Sequence, residues 1–402
     1  MLATDLVVKP EIHTVENLHG WSQYKMKVLK ASKKNWVHLR VKYHLLVLAF
    51  KTYGSISRSL QVLRQLKLIR EATMGPGNLK LIQVNGKYYH HLYAPGFPSK
   101  IFDEYIIGEF NRIIPVNKNA NLLTFIFFAI TQKCPLKCEH CFEWDNLNKK
   151  ESLELFHLKA ILKKFQKNGL AQFHLSGGEP LARIKDLKEL IASADKNSEF
   201  YVLTSGFNFT AANAKGLKNA GLTGVVISLD HFDKEKHNAF RGFNDSFTQA
   251  IQAIRHAQQQ NLVVALTLCV TRNFISWPNL MLYAELAKKM KVVFIQLLEP
   301  KAVGHYKDKN VFLTKNELEL MERFYEMMNF DANYSNYPIV IYHGYHQRRV
   351  GCMSGGNRAL YIDSAGWVNA CPFCHTKNFN IKDVLENNSG FQALVKSTNC
   401  PS

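Results

Sequence analysis

The sequence lacks the long apolar runs and the leader-like start of proteins that enter or cross a membrane. Its longest apolar runs, such as Leu45–Phe50, have six members, far short of the roughly 18 to 20 that span a bilayer. The opening MLATDLVVKPEIH has neither the basic start nor the apolar core of a signal peptide. We therefore expect a cytoplasmic protein, in which clustered cysteines serve as metal ligands or catalytic groups rather than disulfides.

Acidic residues are missing from one long stretch near the amino terminus. Between Glu16 and Glu71 the chain carries twelve lysines and arginines and no aspartate or glutamate. This stretch favours an acidic partner, such as a nucleic acid, an anionic lipid surface or an acidic peptide, although a solvated basic face gives the same pattern. The composition as a whole, with 47% hydrophobic residues, is globular and excludes disordered and collagen-like chains.

The first part of the chain, residues 1–120, is predicted to be a basic module of helices and a hairpin. Helical spacing of apolar residues marks 21–70, and Asn85-Gly86 joins two short alternating runs, as in a two-residue hairpin turn. Helices followed by a hairpin are compatible with a winged-helix-like module. From Ala94 to about residue 120 we expect an irregular connector.

Residues 121–310 alternate between short β-rich runs and amphipathic helices, which predicts an α/β fold, a partial (β/α)6 barrel of the TIM type. The helices are expected near 151–167, 182–194, 211–220, 246–259 and 279–290. The strands are expected at Leu122 to Ile130, Gln172 to Leu175, Glu199 to Leu203, Gly224 to Leu229, Val263 to Val270 and Val292 to Leu298. The carboxyl ends of these strands form one functional face.

Residues 311–402 are predicted to form a small module with a metal centre. A helix near 315–328 precedes a segment that holds four of the eight cysteines. Ala359 to Asp363 and Trp367 to Cys371 are expected to pair as a hairpin that brings Cys352 towards Cys371 and Cys374.

Three thiols lie within eight residues directly after the first barrel strand, at Cys134, Cys138 and Cys141. Thiolates so close together can bind one soft-metal centre, and three ligands leave the fourth iron of an iron-sulfur cube open. A structural zinc site is the alternative, but such sites prefer four protein ligands. The sequence Ser176-Gly177-Gly178-Glu179-Pro180 ends the next strand, where the glycines permit a close backbone approach and the carboxylate can hold an amine.

Taken together, these motifs resemble the signature of the radical S-adenosylmethionine (radical SAM) superfamily over about residues 120–305. The resemblance implies that Cys134, Cys138 and Cys141 hold a catalytic 4Fe-4S cluster whose open iron chelates SAM. Further contacts to SAM are implied for His140, Gly177, Gly178, Glu179, Ser205, Ser228 and Arg241. Arg241 suits the methionyl carboxylate because a guanidinium binds a carboxylate with two parallel hydrogen bonds.

The carboxyl-terminal cysteines resemble the twitch module, a shortened relative of the SPASM domain that holds one auxiliary 4Fe-4S cluster. The resemblance implies Cys352, Cys371 and Cys374 as ligands, with either Cys400 or an open iron site in the fourth position. Six further side chains are candidates for the substrate side of the barrel: Gln296, Glu299, His305, Tyr342, His343 and His346.

The resemblance implies an enzyme that cleaves SAM reductively to a 5′-deoxyadenosyl radical, which abstracts hydrogen from its substrate. SPASM and twitch enzymes favour a peptide or protein substrate, with the basic module gripping an acidic leader and a flavodoxin or ferredoxin as electron donor. One alternative is an enzyme acting on a lipid or other amphiphile, with the stretch from Trp21 to Arg70 against an anionic membrane. The other is a non-enzymatic nucleic-acid-binding protein with structural metal.

Overall fold

The predicted alternation of strands and helices is present in the computed structural model, which describes residues 24–77, 79–117, 123–352, 358–374, 377 and 379–386. The strands are β1 Met26–Val28, β2 Ile82–Val84, β3 Lys87–Tyr89, β4 Phe125–Ala129, β5 Gln172–Ser176, β6 Glu199–Thr204, β7 Gly224–Ser228, β8 Val263–Cys269, β9 Phe294–Leu298, β10 Ile339–Tyr342, β11 Ala359–Ile362, β12 Trp367–Asn369 and β13 Phe379–Asn380. The helices are α1 Ala31–Tyr53, α2 Ile56–Met74, α3 Lys100–Ile113, α4 Leu155–Lys167, α5 Ile184–Ala192, α6 Ala211–Ala220, α7 Lys234–Arg241, α8 Ser246–Gln259, α9 Trp277–Lys289, α10 Lys315–Phe330, α11 His343–Val350 and α12 Ile381–Glu386. None of the helices in these ranges combines the length and the apolar content needed to span a membrane.

The six predicted barrel strands are confirmed as β4 to β9, which lie side by side and parallel in chain order. Two further parallel strands flank them, because β10 pairs with β9 and β11 pairs with β4. Within the described ranges no pairing joins β10 to β11, so the eight parallel strands form an open barrel. The boundary expected after residue 310 therefore falls inside the sheet rather than between two modules.

The helices cover the outer face of this sheet. Outward-pointing residues such as Ile126, Phe128 and Leu175 belong to one large apolar core together with residues of α4, α5, α6, α8, α9 and α10. Strands buried on both faces have nearly continuous apolar sequences, and for this reason they could be predicted from the sequence. The predicted hairpin near the carboxyl terminus is present as β11 and β12, with β13 beside β12.

The amino-terminal hairpin closes the bottom of the barrel. β1, β2 and β3 form a separate antiparallel sheet. Ile82 and Tyr89 of this sheet, and Tyr24 just before it, share a core with Phe125 and Phe294 at the starts of their barrel strands. A hydrogen bond of 2.7 Å from Gln296 Nε2 to the hydroxyl oxygen of Tyr93 adds a polar contact inside the barrel. The sheet therefore packs against the barrel as its floor.

The connector expected between Ala94 and residue 120 is wrong for its central part, which is helix α3. Ser99 caps this helix by accepting a hydrogen bond of 3.1 Å from the backbone of Phe102. Phe102, Ile106 and Phe110 recur every four residues and are buried against α1 and α2. The prolines that precede the cap masked this periodicity in the sequence.

Candidate active site

We name the interior of the barrel, towards the carboxyl ends of its strands, the chamber. Each of the strands β4 to β9 is buried except for one half-buried residue, and these residues alternate with outward-facing core residues, so they point inward. They are Phe127, Ser176, Leu203, Ser228, Thr267 and Leu298. The chamber wall at these positions is therefore uncharged, with three hydroxyl groups, and Ser228 lies where the sequence predicted a cofactor contact.

The cysteine loop, residues 134–141, follows β4, and residues 131–133, which lead into it, pack directly against the two glycines that follow β5. The backbone N–H of Gly178 donates to Thr131 O at 2.8 Å, and that of Glu179 donates to Lys133 O at 2.8 Å. A Cβ atom on Gly178 would lie 2.5 Å from Lys133 O. The two glycines are thus needed for contact between the ends of two neighbouring strands, one of which carries the thiols.

An asparagine that the sequence analysis did not single out ties the start of the cysteine loop in place. Asn148 donates from Nδ2 to Cys134 O at 3.1 Å, and its Oδ1 accepts from Cys134 N at 3.0 Å. Its backbone has φ of 57°, a conformation that asparagine tolerates better than most residues. Asn148 lies seven residues after Cys141, and an isolated asparagine at this distance does not identify itself in the sequence as a partner of the loop.

Glu179 and Ser205, both predicted site residues, are in direct contact. One carboxylate oxygen accepts from the backbone N–H and the hydroxyl of Ser205 at 2.8 and 2.7 Å, and the other accepts from the Thr204 hydroxyl at 2.7 Å. Burial raises the pKa of Glu179, while these hydrogen bonds act in the opposite direction. Glu179 therefore joins the ends of β5 and β6 next to the chamber.

Arg241 lies in the site, but its guanidinium is already paired. Its Nε and one terminal nitrogen contact Asp230 Oδ2 at 2.6 and 2.5 Å, and its other terminal nitrogen lies 3.6 Å from Cys138 Sγ. Both residues of this ion pair are buried. Burial opposes the charge on Asp230, but the neighbouring guanidinium lowers the pKa of this carboxyl below its usual value. Sequence reasoning did not identify Asp230 as the partner of Arg241.

His140 is held flat beside the cysteine loop. Its ring stacks on Phe240 with centroids 4.8 Å apart and an interplanar angle of 17°. Burial lowers the pKa of His140 to about 4, so the imidazole is neutral at physiological pH. Its Nδ1 is buried and has no hydrogen-bond partner among the described residues, which leaves a polar atom available to a bound group.

His305, one of the candidates for the substrate side, contacts the cysteine loop. Its Nδ1 donates to Cys138 O at 3.0 Å, and its backbone N–H donates to Cys141 O at 2.9 Å. The ring stacks on Trp144 with centroids 3.9 Å apart. Gln296 likewise contacts Tyr93 in the barrel floor, and His346 Nδ1 contacts Thr73 O of helix α2.

Glu299, Tyr342 and His343, also candidates for the substrate side, have partners within the protein. The Glu299 carboxylate accepts from the Tyr342 hydroxyl at 2.8 Å and from Arg348 at 2.7 Å. The ring of His343 lies 5.1 Å from that of Tyr93. None of these contacts tests a role in binding substrate.

The turn that carries Cys371 and Cys374 lies next to the cysteine loop. Cys371 and Cys374 are joined by a tight turn in which Cys374 N donates to Cys371 O at 3.1 Å. Phe373, between them, contacts Phe142, with ring centroids 5.8 Å apart. Cys352 is exposed, and Cys400 lies outside the described residues.

The donor set suits a multi-iron cluster better than a single ion. Among the described residues, no group of three or more histidine, cysteine or acidic side chains converges as ligands of one metal ion would. Thiolates at three corners of a cube bind three different irons, so they need not converge in this way. Burial raises the pKa of both Cys134 and Cys141 to about 12. These thiols therefore favour their protonated form until a cation holds them as thiolates.

Comparison with known proteins identifies the family of one part of the chain. Residues 128–275, which contain the cysteine loop, the glycine motif and Arg241, match the family described as the radical SAM superfamily. This part of the chain is a radical SAM domain, the catalytic domain of enzymes that use a 4Fe-4S cluster and SAM. The alternative of a non-enzymatic nucleic-acid-binding protein is thereby set aside.

The chain is similar in sequence to two curated proteins and in fold to one solved structure. The Fe-coproporphyrin III synthase of Methanosarcina barkeri is 31% identical over 149 residues, which are 37% of this chain and 37% of that protein. The PqqA peptide cyclase of Streptomyces rochei is 28% identical over 253 residues, 61% of this chain and 68% of that protein. Streptococcus suis SuiB, in its structure bound to the precursor peptide SuiA, superposes with a TM-score of 0.55 at 12% identity, covering 85% of this chain and 80% of that one. The chain thus spans little more than a third of the synthase, and the likeness to SuiB concerns the fold alone.

Proposed function

We propose that this radical SAM enzyme modifies a peptide or protein after its synthesis. The relative that overlaps a larger part of the chain, the PqqA peptide cyclase, carries this proposal, because its similarity extends over 61% of the sequence. The fold shared with SuiB supports it without deciding the substrate. A one-electron donor such as a flavodoxin or ferredoxin completes the system.

Some residues of the site bind the cluster, and others position the loop that carries it. Cys134, Cys138 and Cys141 hold the catalytic 4Fe-4S cluster, which when bound and reduced supplies the electron that cleaves SAM to a hydrogen-abstracting 5′-deoxyadenosyl radical. Gly177 and Gly178 keep the backbone of β5 close to the loop.

We propose that the remaining predicted residues bind or orient SAM. The proposed cofactor contacts are His140, Gly177, Gly178, Glu179, Ser205, Ser228 and Arg241. The neutral, stacked ring of His140 offers an unpaired Nδ1, and Ser228 offers a hydroxyl on the chamber wall. Arg241 acts first as the buried counter-charge of Asp230 and the neighbour of Cys138.

We further propose that Cys352, Cys371 and Cys374 bind an auxiliary 4Fe-4S cluster, with Cys400 as the fourth ligand. The turn that holds Cys371 and Cys374 lies against Phe142, next to Cys141. An auxiliary centre there would lie beside the first, where it can bind substrate or accept an electron. Replacement of Cys400 by alanine tests the fourth position through the iron content and the electron paramagnetic resonance spectrum.

Anaerobic reconstitution tests the activity. The protein with iron, sulfide, SAM and dithionite is expected to release 5′-deoxyadenosine, and Cys138→Ala is expected to abolish this release. Cys269→Ala is the matched control, because Cys269 is also a buried cysteine but belongs to β8 rather than to the three-cysteine motif. If wild type releases no 5′-deoxyadenosine with its iron bound, or if Cys138→Ala matches wild type, the proposed chemistry is wrong. A mass change in a candidate precursor peptide, dependent on SAM, tests the substrate.

A second candidate is a lipid or other amphiphilic substrate. The observation in its favour is a row of exposed apolar side chains on helix α1. Incubating the enzyme with a detergent-solubilised lipid extract and following SAM-dependent mass changes distinguishes it from the peptide reading.

A further inference from the structure

Helix α1 is apolar on two opposite sides, although only one of them faces the protein. Its inward side carries Val37, Leu48 and Ala49, which are buried in the core formed with α2 and α3. An amphipathic surface helix needs only this one apolar side to be anchored. A second apolar side therefore requires its own explanation.

The outward side carries five large apolar residues in one row, which we name the α1 stripe: Trp36, Leu39, Tyr43, Leu46 and Phe50. They recur at intervals of three and four residues, which places them on one face of the helix. Each is between 39% and 69% exposed. At a rise of about 1.5 Å per residue the stripe is roughly 21 Å long.

The next helix also carries exposed apolar residues near its start. Ile56 and Leu60, in the first turns of α2, are 68% and 56% exposed. Scattered exposed apolar residues are normal on a protein surface, but a contiguous set marks a site of interaction. The set here consists of large side chains that stand out from a helix, so its shape is a ridge rather than a groove.

Both flanks of the α1 stripe are basic. At 100° per residue, Lys42 lies on one side of the stripe, and Arg40 and Lys51 lie on the other. All three are exposed, and the helix contains no acidic residue. Long basic side chains can extend their charged ends away from an apolar surface while their stems remain on it.

We propose that the α1 stripe docks this enzyme on an anionic lipid surface. An apolar row containing tryptophan and tyrosine, between two basic flanks, is the arrangement of helices that lie in the membrane interface. The row inserts among the acyl chains while Arg40, Lys42 and Lys51 meet the acidic headgroups. A peptide partner would instead be expected to find a concave groove. The proposal goes beyond the proposed function, since it concerns where the enzyme works and holds for either class of substrate.

Co-sedimentation of the full-length, reconstituted protein with vesicles tests the docking surface. Vesicles of phosphatidylcholine mixed with phosphatidylglycerol are expected to bind the protein, and vesicles of phosphatidylcholine alone to bind it far less. The variant Leu39→Ser, Tyr43→Ser, Phe50→Ser is expected to bind at least tenfold more weakly. Arg40→Gln, Lys42→Gln, Lys51→Gln is expected to lose roughly fivefold per charge, and added salt should weaken the wild type in the same way.

Two controls separate docking from folding. Phe156→Ser, Phe312→Ser removes two aromatic residues that are 61% and 52% exposed on other parts of the surface, and it should bind vesicles like the wild type. Iron content and release of 5′-deoxyadenosine without vesicles should be unchanged in every variant, whatever the natural substrate.

Several outcomes overturn the proposal. Failure of the wild type to bind anionic vesicles does so, as does wild-type binding by the stripe variant. Self-association that disappears in the stripe variant, without vesicle binding, would assign the surface to a second copy of the chain. Binding of an acidic amphipathic peptide without vesicle binding would assign it to a peptide.

Discussion

The ring of Phe142 contacts the ring of Phe373 edge-on, with centroids 5.8 Å apart and an interplanar angle of 73°. Phe142 directly follows Cys141, and Phe373 lies between Cys371 and Cys374. One aromatic contact therefore joins the two parts of the sequence that were predicted to bind iron, although more than 200 residues separate them.

This contact should appear as an interaction energy. We expect Phe142→Leu and Phe373→Leu to be non-additive in urea unfolding of the protein without cofactors, with a coupling of about 0.5 to 1.5 kcal/mol. Strictly additive effects would mean that the two segments do not pack together. The pair Phe173 and Phe200, stacked at 5.2 Å in the core, provides a positive control.

The glycines of the β5 turn should be intolerant of a single added methyl group. Gly178→Ala places Cβ 2.5 Å from Lys133 O, and Gly177→Ala places it 2.5 Å from Thr131 O. Both should reduce iron bound after reconstitution and the release of 5′-deoxyadenosine at least tenfold, because the cysteine loop must move. Gly108→Ala in α3, where a Cβ meets no atom within 4 Å, should behave like the wild type; equal losses in all three variants would refute the steric argument.

Removal of the counter-charge of Arg241 should be costly. Asp230→Asn leaves a buried guanidinium without its partner, and we expect the free energy of unfolding to fall by about 3 to 5 kcal/mol. Asp186→Asn breaks a partly exposed ion pair with Arg183, three residues away in the sequence. This change should lower the free energy of unfolding by no more than about 1 kcal/mol. Both variants are measured by urea unfolding. Similar losses of unfolding free energy would show that burial does not determine how much the Arg241–Asp230 pair contributes to stability.

Lys80 should hold the amino-terminal segment to the end of helix α10. Its buried ammonium group donates to the carbonyl oxygens of Met328, Tyr334 and Tyr337 at 2.6 to 3.0 Å. Lys80→Met leaves these acceptors buried without a donor, so we expect a loss of roughly 3 kcal/mol or more in unfolding free energy. Lys42→Met, at an exposed position, should change stability by less than about 0.5 kcal/mol, and an equal effect at both positions would contradict this account.

The folded protein should lose stability as the pH falls below about 6.5. Burial lowers the pKa of His174 to about 3, and His343 contributes to the shift. Above pH 6.5 the histidine is neutral in both states. Below it the unfolded chain binds a proton that the folded chain does not, so His174 alone should cost about 1.4 kcal/mol per pH unit until its folded pKa is reached. His174→Gln should flatten the measured dependence of unfolding free energy on pH between 6.5 and 5, and an unchanged slope would count against this assignment.

Sequence reasoning located the barrel well because its signals are local. The runs that became β4 to β9 are buried on both faces, and the helices between them keep a regular apolar period. β10 and β11 were not assigned to the sheet, since the pairing of Ala359 with Phe125 depends on contacts between distant parts of the chain. Arg241 was recognised from the local sequence around it. Its pairing with Asp230 and the contact of His305 with the cysteine loop depend on the folded structure, so the sequence did not predict them.

The packing of β1 to β3 against the strand starts also bears on how the gene can be rearranged. Tyr24, Ile82 and Tyr89 complete an apolar core whose other half belongs to the barrel. A shuffling event or a fusion design that exchanges the first 117 residues must therefore exchange matching barrel residues as well. Otherwise the amino-terminal sheet and the barrel would each expose apolar surface, and we expect the chimeric protein to aggregate.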